Sequence, residues 1–234
     1  MSGDSVSHKI DRKVRYKVDD PVHQIHEYNI DTKSNHIYLM GETSYVYSQA
    51  DEEPGVEYAM ANRFIKNMNV AMRSPDGQPI LIHMKTCGGD WHEGMAIYDM
   101  IKACPLPVTI LNYTHARSMS SIILQAADKR IMMPHSAFMI HRGSLGFFGE
   151  HQQCVSNLEF YKKTEEAMLD IYVNRMKERG CYSTKSAKWT REYLKEQMDS
   201  KVDVFFTAEE AVKLGFADEI FGADGNYDWS KLSK

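Results

Sequence analysis

Three side chains of this sequence could carry out acyl transfer, and they lie far apart. Ser118 stands in Arg117-Ser118-Met119-Ser120-Ser121, between two apolar segments. A serine where a strand gives way to a helix has an exposed hydroxyl. The unpaired backbone N–H groups of the first helical turn surround it. Those donors suit an oxyanion, so the place suits a nucleophile, although a serine there also acts simply as an N-cap. His141 ends the run Ala137-Phe138-Met139-Ile140 and could be aimed at a neighbouring junction as a general base; the plainer role is a hydrogen-bonded structural histidine. Of ten histidines, His115 and His135 compete with it. His115 is too close to Ser118 in sequence, and His135 sits in a proline-led turn. Asp203 leads into Val204-Phe205-Phe206, a run expected to be buried. It could orient an imidazole, or it could cap a turn.

Gly88-Gly89 follows an apolar strand and precedes a helix. Two glycines there let backbone N–H groups approach a ligand, as a second oxyanion donor or as partners for an extended peptide. The pair fits neither phosphate-cradling glycine pattern. His83, Cys87 and His92 straddle a strand and this glycine turn without metal-ligand spacing, so no metal site is expected. Met132-Met133 reads as core filler.

The elements that must position these residues alternate. Apolar runs at 37–40, 79–84, 107–111, 130–133 and 137–140 read as strands, and a strand is expected to end near Tyr113 before a polar turn. Periodic stretches at 56–72, 95–101, 118–127 and 186–198 read as helices, and Ser74-Pro75-Asp76-Gly77 reads as a turn. Thr207-Ala208-Glu209-Glu210 is a capping box that opens a helix ending at Gly215, and a last strand is expected over 216–221. Strand–helix alternation with near-continuous apolar strands implies an α/β fold of parallel βαβ units. Residues 1–30 read as a partly flexible arm interrupted by Pro21, and 31–234 as a single domain. The segment from about Glu150 to Arg179 lacks glycine and proline. Cys154, Leu158, Tyr161, Met168, Tyr172 and Met176 share one face of it. Such a helix, about 45 Å long, overruns a domain of this size, so part of it is expected to project onto a partner; the plainer alternative is a long helix capping its own domain.

Composition narrows the function. The 234 residues are 43% hydrophobic and 26% charged, ordinary for a globular protein. Lys plus Arg number 28 against 32 Asp plus Glu, a net charge of -4, so no nucleic-acid partner is expected. No apolar run reaches membrane-spanning length, and the N-terminus lacks the apolar core of a signal peptide. Cys87, Cys104, Cys154 and Cys181 form no C-x-x-C pair and read as reduced thiols, which places the expected location in the cytoplasm.

Taken together, these segments resemble the proteolytic subunits of Clp proteases, from about Ile37 to Phe221. Thr86-Cys87-Gly88-Gly89 with Glu93-Gly94-Met95-Ala96-Ile97-Tyr98-Asp99 is similar to that family's glycine-pair loop and following helix. Ala116-Arg117-Ser118-Met119-Ser120 resembles its nucleophile motif, and Phe138-Met139-Ile140-His141 its histidine motif. Asp203 to Ala211, running on to Gly215-Phe216-Ala217-Asp218, resembles its aspartate motif. The resemblance implies a crotonase-like fold of repeated ββα units with a projecting handle helix at about 150–179. It implies Ser118 as nucleophile, His141 as general base and Asp203 as its orienter. The backbone N–H groups of Gly89 and Met119 would form the oxyanion hole, with Gly88, Gly89, Arg142 and Gly143 beside the substrate. It also implies stacked heptameric rings, polypeptide substrates and an AAA+ unfoldase partner that consumes ATP, with no cofactor in this chain.

The sequence departs from that pattern at Cys87, where proline is usual, at Ser120 and Ser121, where residues are smaller, and at Arg142-Gly143, where Gln-Pro is usual. Extra residues around 48–56 and between Arg179 and Asp203 mark a divergent member. Two other expectations stay open: a non-catalytic ring subunit, and an acyl-CoA enzyme on the same fold.

Overall fold

A computed structural model of the chain describes residues 20–41, 54–74 and 76–232. The insertion expected around 48–56 lies largely outside them, as do Pro75 of the predicted turn and residues 1–19 of the predicted arm. From residue 20 the chain forms a helix. Asp20 accepts the Val22 N–H, Pro21 occupies the first turn, and α1 runs over Pro21–Tyr28. Pro21 starts this helix instead of interrupting the chain, because its missing N–H is one that a first turn leaves unbonded anyway. Asn29 closes α1 in the left-handed conformation at φ 59°. Strand β1 (Ile30–Asp31) then pairs antiparallel with β2 (His36–Met40), and Ile30 joins the core.

Helix α2 (Tyr58–Ala71) lies between β2 and β3 (Ile80–Thr86), and α3 (Trp91–Lys102) follows β3. Helix α3 begins before the periodic stretch that announced it, since Asp90 caps the His92 and Glu93 N–H groups at 2.8 and 3.0 Å. Strand β4 (Val108–Arg117) is twice as long as its apolar run, and the polar residues after Tyr113 remain strand. Helix α4 (Met119–Leu124), β5 (Lys129–Met132) and β6 (Ala137–Ile140) come next. Helix α5 (His151–Arg179) is followed by α6 (Ala187–Lys201), β7 (Val204–Thr207), α7 (Ala208–Leu214) and β8 (Glu219–Ile220). The last strand is much shorter than its apolar run, because Phe216 and Ala217 turn into the core before the pairing begins.

The eight strands of the described residues form one sheet, ordered β1-β2-β3-β4-β5-β8, with β6 and β7 as a branch. The branch exists because β4 changes partner along its length. Thr109–Asn112 pair with β5, whereas His115–Arg117 pair with β6, both parallel. Strand β7 then adds antiparallel to β6. One face of the sheet and the helices share the main core, which holds Ile37, Phe64, Ile82, Ile110, Phe138 and Phe216. A smaller cluster of Leu81, Leu111, Ile131, Phe221 and Leu232 covers part of the other face.

Helix α5 has two characters. Its C-terminal half buries Met168, Leu169, Tyr172, Val173 and Met176 in the main core. Its N-terminal half leaves Val155, Leu158 and Phe160 exposed. The apolar face read from the sequence is therefore real, but only its second half is covered within the chain. At 29 residues the helix is roughly 43 Å long.

Candidate active site

Strand register brings the three separated side chains together. The parallel β4–β6 pairing sets Arg117 against Met139, so Ser118 and His141 leave adjacent strand ends. The antiparallel β6–β7 pairing sets Ile140 against Val204, so His141 and Asp203 are the next pair along. His141 Nε2 lies 2.8 Å from Ser118 Oγ, and its Nδ1 lies 3.1 Å from Asp203 Oδ1. A carboxylate only accepts, so the Nδ1 proton points at Asp203 and Nε2 is left to accept from the serine hydroxyl. His115 sits within β4 and His135 in the turn before β6, and it is His141 that the serine hydroxyl meets.

Ser118 holds an unusual backbone, φ 54° and ψ -129°, and its side chain makes no capping bond. A non-glycine residue there costs on the order of 1–3 kcal/mol, which the surroundings must over-determine. They do so by hydrogen bonds. The Ser118 N–H donates to the Met139 carbonyl at 3.2 Å, and the Ser118 carbonyl accepts the Ser121 N–H at 3.0 Å and the Ser121 hydroxyl at 2.6 Å. The sharp turn aims Oγ away from α4 and towards the imidazole.

The glycine pair packs directly against this turn. A Cβ on Gly88 would come within 2.6 Å of the Arg117 carbonyl and 2.7 Å of Ser118 Cβ, and its φ of 95° already disfavours a side chain. A Cβ on Gly89 would fall 2.2 Å from the Val56 carbonyl. Val56 straps the loop: its N–H donates to the Gly88 carbonyl at 2.6 Å, and its carbonyl accepts the Asp90 N–H at 2.9 Å. That ladder skips the Gly89 N–H. The Met119 N–H belongs to the first turn of α4, where helical bonding leaves donors free. Gly89 and Met119 both line a cleft of about 420 Å³ together with Ser118, His141, Arg142 and Gly143; Ile122, Leu145 and Met168 add apolar walls. Gly88 lies beneath the serine turn and does not line the cleft.

The Arg142 guanidinium is held by the carboxylates of Glu165 and Asp199, the latter at 2.7 Å, and its carbonyl accepts the Tyr161 hydroxyl. These contacts tie the chain after His141 to α5 and α6. Asp203 follows a turn in which its own N–H donates to the Lys201 carbonyl at 2.8 Å. Val202 between them sits at φ 62° and ψ -71°, a strained γ-turn for a β-branched residue. The run after Asp203 is not buried throughout as expected. It is a strand that alternates faces, so Phe205 is 59% exposed while Val204 and Phe206 point inward.

His83, Cys87 and His92 do not converge. His83 is buried on the sheet, bonded to Tyr113 and His36 at 2.8 and 3.1 Å and stacked on Tyr38. His92 stacks on Phe160, 5.8 Å between ring centroids. Burial pushes the His83 imidazole down to about 4, with neighbouring His36 adding to the effect.

Sequence reasoning missed Val56, Glu165 and Asp199, and it read Tyr172 only as part of the apolar face of the long helix. Their contacts at the site had no local signal, because each is made with a distant segment.

A serine, a histidine and a carboxylate in hydrogen-bonded series beside a cleft are the groups that serine-type acyl transfer uses. The chain matches the Clp protease family over residues 49–224. It is 30% identical over 167 residues to an ATP-dependent Clp protease proteolytic subunit of Deinococcus radiodurans, covering 70% of this chain and 76% of that one. It is 29% identical to proteolytic subunit 1 of Chlamydia muridarum over 72% of this chain and 82% of the relative. It is 27% identical to the subunit of Chara vulgaris over 70% of each. The chain belongs to the Clp protease family: it is a divergent serine-type peptidase with the crotonase-like fold.

Proposed function

We propose that Ser118, His141 and Asp203 are the catalytic triad of an endopeptidase that cleaves unfolded polypeptides. The unbroken Asp203–His141–Ser118 series of hydrogen bonds carries this reading. His141 Nε2 takes the Ser118 proton as Oγ attacks the peptide carbonyl, and the same proton then passes to the leaving amine. Asp203 holds the tautomer and stabilises the imidazolium. The oxyanion is received by the N–H groups of Gly89 and Met119. Water, deprotonated by His141, releases the acyl group. An extended peptide lies along Gly89 and the Arg142-Gly143 segment, with Gly88 supporting the serine turn. The chemistry calls for no cofactor and no metal in this chain. A fluorophosphonate tests the assignment: it labels the wild type and leaves Ser118→Ala unlabelled, and equal labelling of both would remove Ser118 from the reaction.

The assembly we propose is a pair of stacked rings with the active sites inside. The exposed apolar half of α5, with Phe148 97% exposed just before it, supports packing against further copies. The resemblance implies seven subunits per ring and an AAA+ ATPase that unfolds substrate and consumes the ATP. The names of the relatives, which are ATP-dependent, support that partner. Sedimentation giving a monomer at working concentration would contradict the ring. Among the described residues no helix is long and apolar enough to cross a membrane. We place the enzyme in the cytoplasm, with neither nucleic acid nor membrane as a partner. The non-catalytic ring subunit is disfavoured by the formed triad, and the acyl-CoA enzyme by a serine–histidine pair where that chemistry uses carboxylates.

A further inference from the structure

Two serines follow the nucleophile where smaller residues are usual, and the structure gives both hydroxyls partners. Ser120 Oγ accepts the Arg117 N–H at 3.0 Å and lies 2.8 Å from the Thr86 carbonyl, at the end of β3 beside the glycine loop. Ser121 Oγ lies 2.6 Å from the Ser118 carbonyl and 2.6 Å from the Tyr172 hydroxyl, and both Ser121 and Tyr172 are buried. The direction of this second series follows from the chemistry. A carbonyl only accepts, so the single Ser121 proton goes to Ser118. The Tyr172 hydroxyl must then be the donor to Ser121. Burial holds the Tyr172 phenol well above its ordinary range, so it stays a neutral donor.

Tyr172 also touches the strand that carries the base. Its ring meets Phe138 edge-on at 6.3 Å and Phe216 at 5.6 Å. Phe138 lies on β6, whose end presents His141. One side chain from the buried half of α5 thus contacts both arms of the Ser118–His141 pair, the serine turn through its oxygen and the histidine strand through its ring. The Ser118 carbonyl is the group that must be held if the strained turn is to keep Oγ aimed at Nε2.

We propose that Ser121 and Tyr172 are positioning residues for Ser118, acting as a buried donor chain from Tyr172 through Ser121 to the Ser118 carbonyl. The inference rests on Ser118 being the nucleophile. Neither residue touches substrate. Their contribution is to the aim of Oγ, and small errors in aim carry large rate penalties.

The test compares Ser121→Ala, Tyr172→Phe, the double variant and Ile131→Val in the assembled protein. Ile131 lies in the smaller core cluster away from the site and reports general loosening. Peptide kcat and KM, fluorophosphonate acylation rate and thermal midpoint are measured for each. Ser121→Ala is expected to lower kcat and acylation rate on the order of tenfold with KM within about twofold. Tyr172→Phe keeps the ring and is expected to lower them about threefold. In the double variant the midpoint recovers relative to Ser121→Ala, because a buried hydroxyl without a partner has been removed, while kcat does not recover.

Rates within twofold of wild type in Ser121→Ala, or multiplying penalties in the double variant, would overturn the proposal. So would an equal loss in Ile131→Val. Should Ser121→Ala fail to assemble, an unchanged acylation rate in Tyr172→Phe would overturn it alone. Labelling of Ser118→Ala would instead remove the nucleophile assignment itself, so the two failures are told apart.

Discussion

Asp203 and Asp218 are two carboxylates near the C-terminus with opposite surroundings. The Asp218 side chain is 7% exposed. It accepts the Arg130 backbone N–H, two guanidinium bonds from buried Arg130 at 2.7 and 3.0 Å, and a further one from Arg179. Burial alone would raise its pKa, but the Arg130 bonds and charge outweigh that and hold it below the usual carboxylate range. The Asp203 side chain is 49% exposed and meets the His141 imidazole. The first carboxylate locks β5 to the segment before β8. The second keeps contact with water and orients one ring. Partial hydration suits the role proposed for Asp203, which is to orient an imidazole that gains and loses a proton. One that staples a core needs full enclosure and a fork of donors.

The largest separation between the two should come from amide substitutions. Asp203→Asn keeps the shape but favours the wrong imidazole tautomer, and peptide kcat should fall about 10³–10⁴-fold. Because exposed pairs contribute little, its denaturant midpoint should shift by less than about 1 kcal/mol equivalent. Asp218→Asn should do the reverse: a stability loss of about 3–5 kcal/mol from stranding the buried Arg130 charge, with residual folded protein still labelled by a fluorophosphonate. If Asp203→Asn proves the more destabilising, the contrast is wrong.

Acid sharpens the comparison from a third place. His83 binds a proton in the unfolded chain near 6.5 but in the folded protein only at about 4. The unfolded state therefore holds more protons in that window, and stability falls as pH drops through it, by up to about 3 kcal/mol in all. Asp218, with its lowered pKa, adds a loss only as pH falls further, below the ordinary carboxylate value. Urea melts at pH 7, 5 and 4 should show the first loss, and His83→Phe should flatten it. A flat wild-type profile between pH 7 and 4 would count against a neutral buried His83.

The smallest effect concerns the turn before Asp203. Val202→Gly removes a β-branched side chain from a positive-φ position 72% exposed to solvent. Stability should rise by about 1 kcal/mol, less the added freedom of glycine in the unfolded chain. Ser118 has a comparable φ, but its turn is pinned on both sides, and relief there would misplace the proposed nucleophile. A stability loss in Val202→Gly would show that the turn is not strained.

Much of this was legible beforehand. The apolar run at Ile37–Met40, the capping box at Thr207 and the period of the long helix are local signals, and each yielded an element in its place. Asp20-Pro21 was misread because a helix start and a chain break both use proline. The second half of β4 was missed because Tyr113 to Arg117 is polar, and its pairing with β6 depends on a strand more than twenty residues away. Phe205 was expected inside, yet residues of a strand alternate between faces whatever their hydrophobicity.

From the sequence alone came most of the element order after Ile37, the candidate serine, histidine and aspartate, and the over-long helix, because periodicity, caps and glycine turns act within a few residues. Tertiary structure decided the rest. Only the change of partner along β4 and the register of β6 against β7 set Ser118, His141 and Asp203 within hydrogen-bond reach. Only long-range packing placed Tyr172 beneath the serine turn and left the first half of its helix bare. A hydrogen bond is settled to tenths of an ångström, and no local pattern carries that precision across the intervening chain.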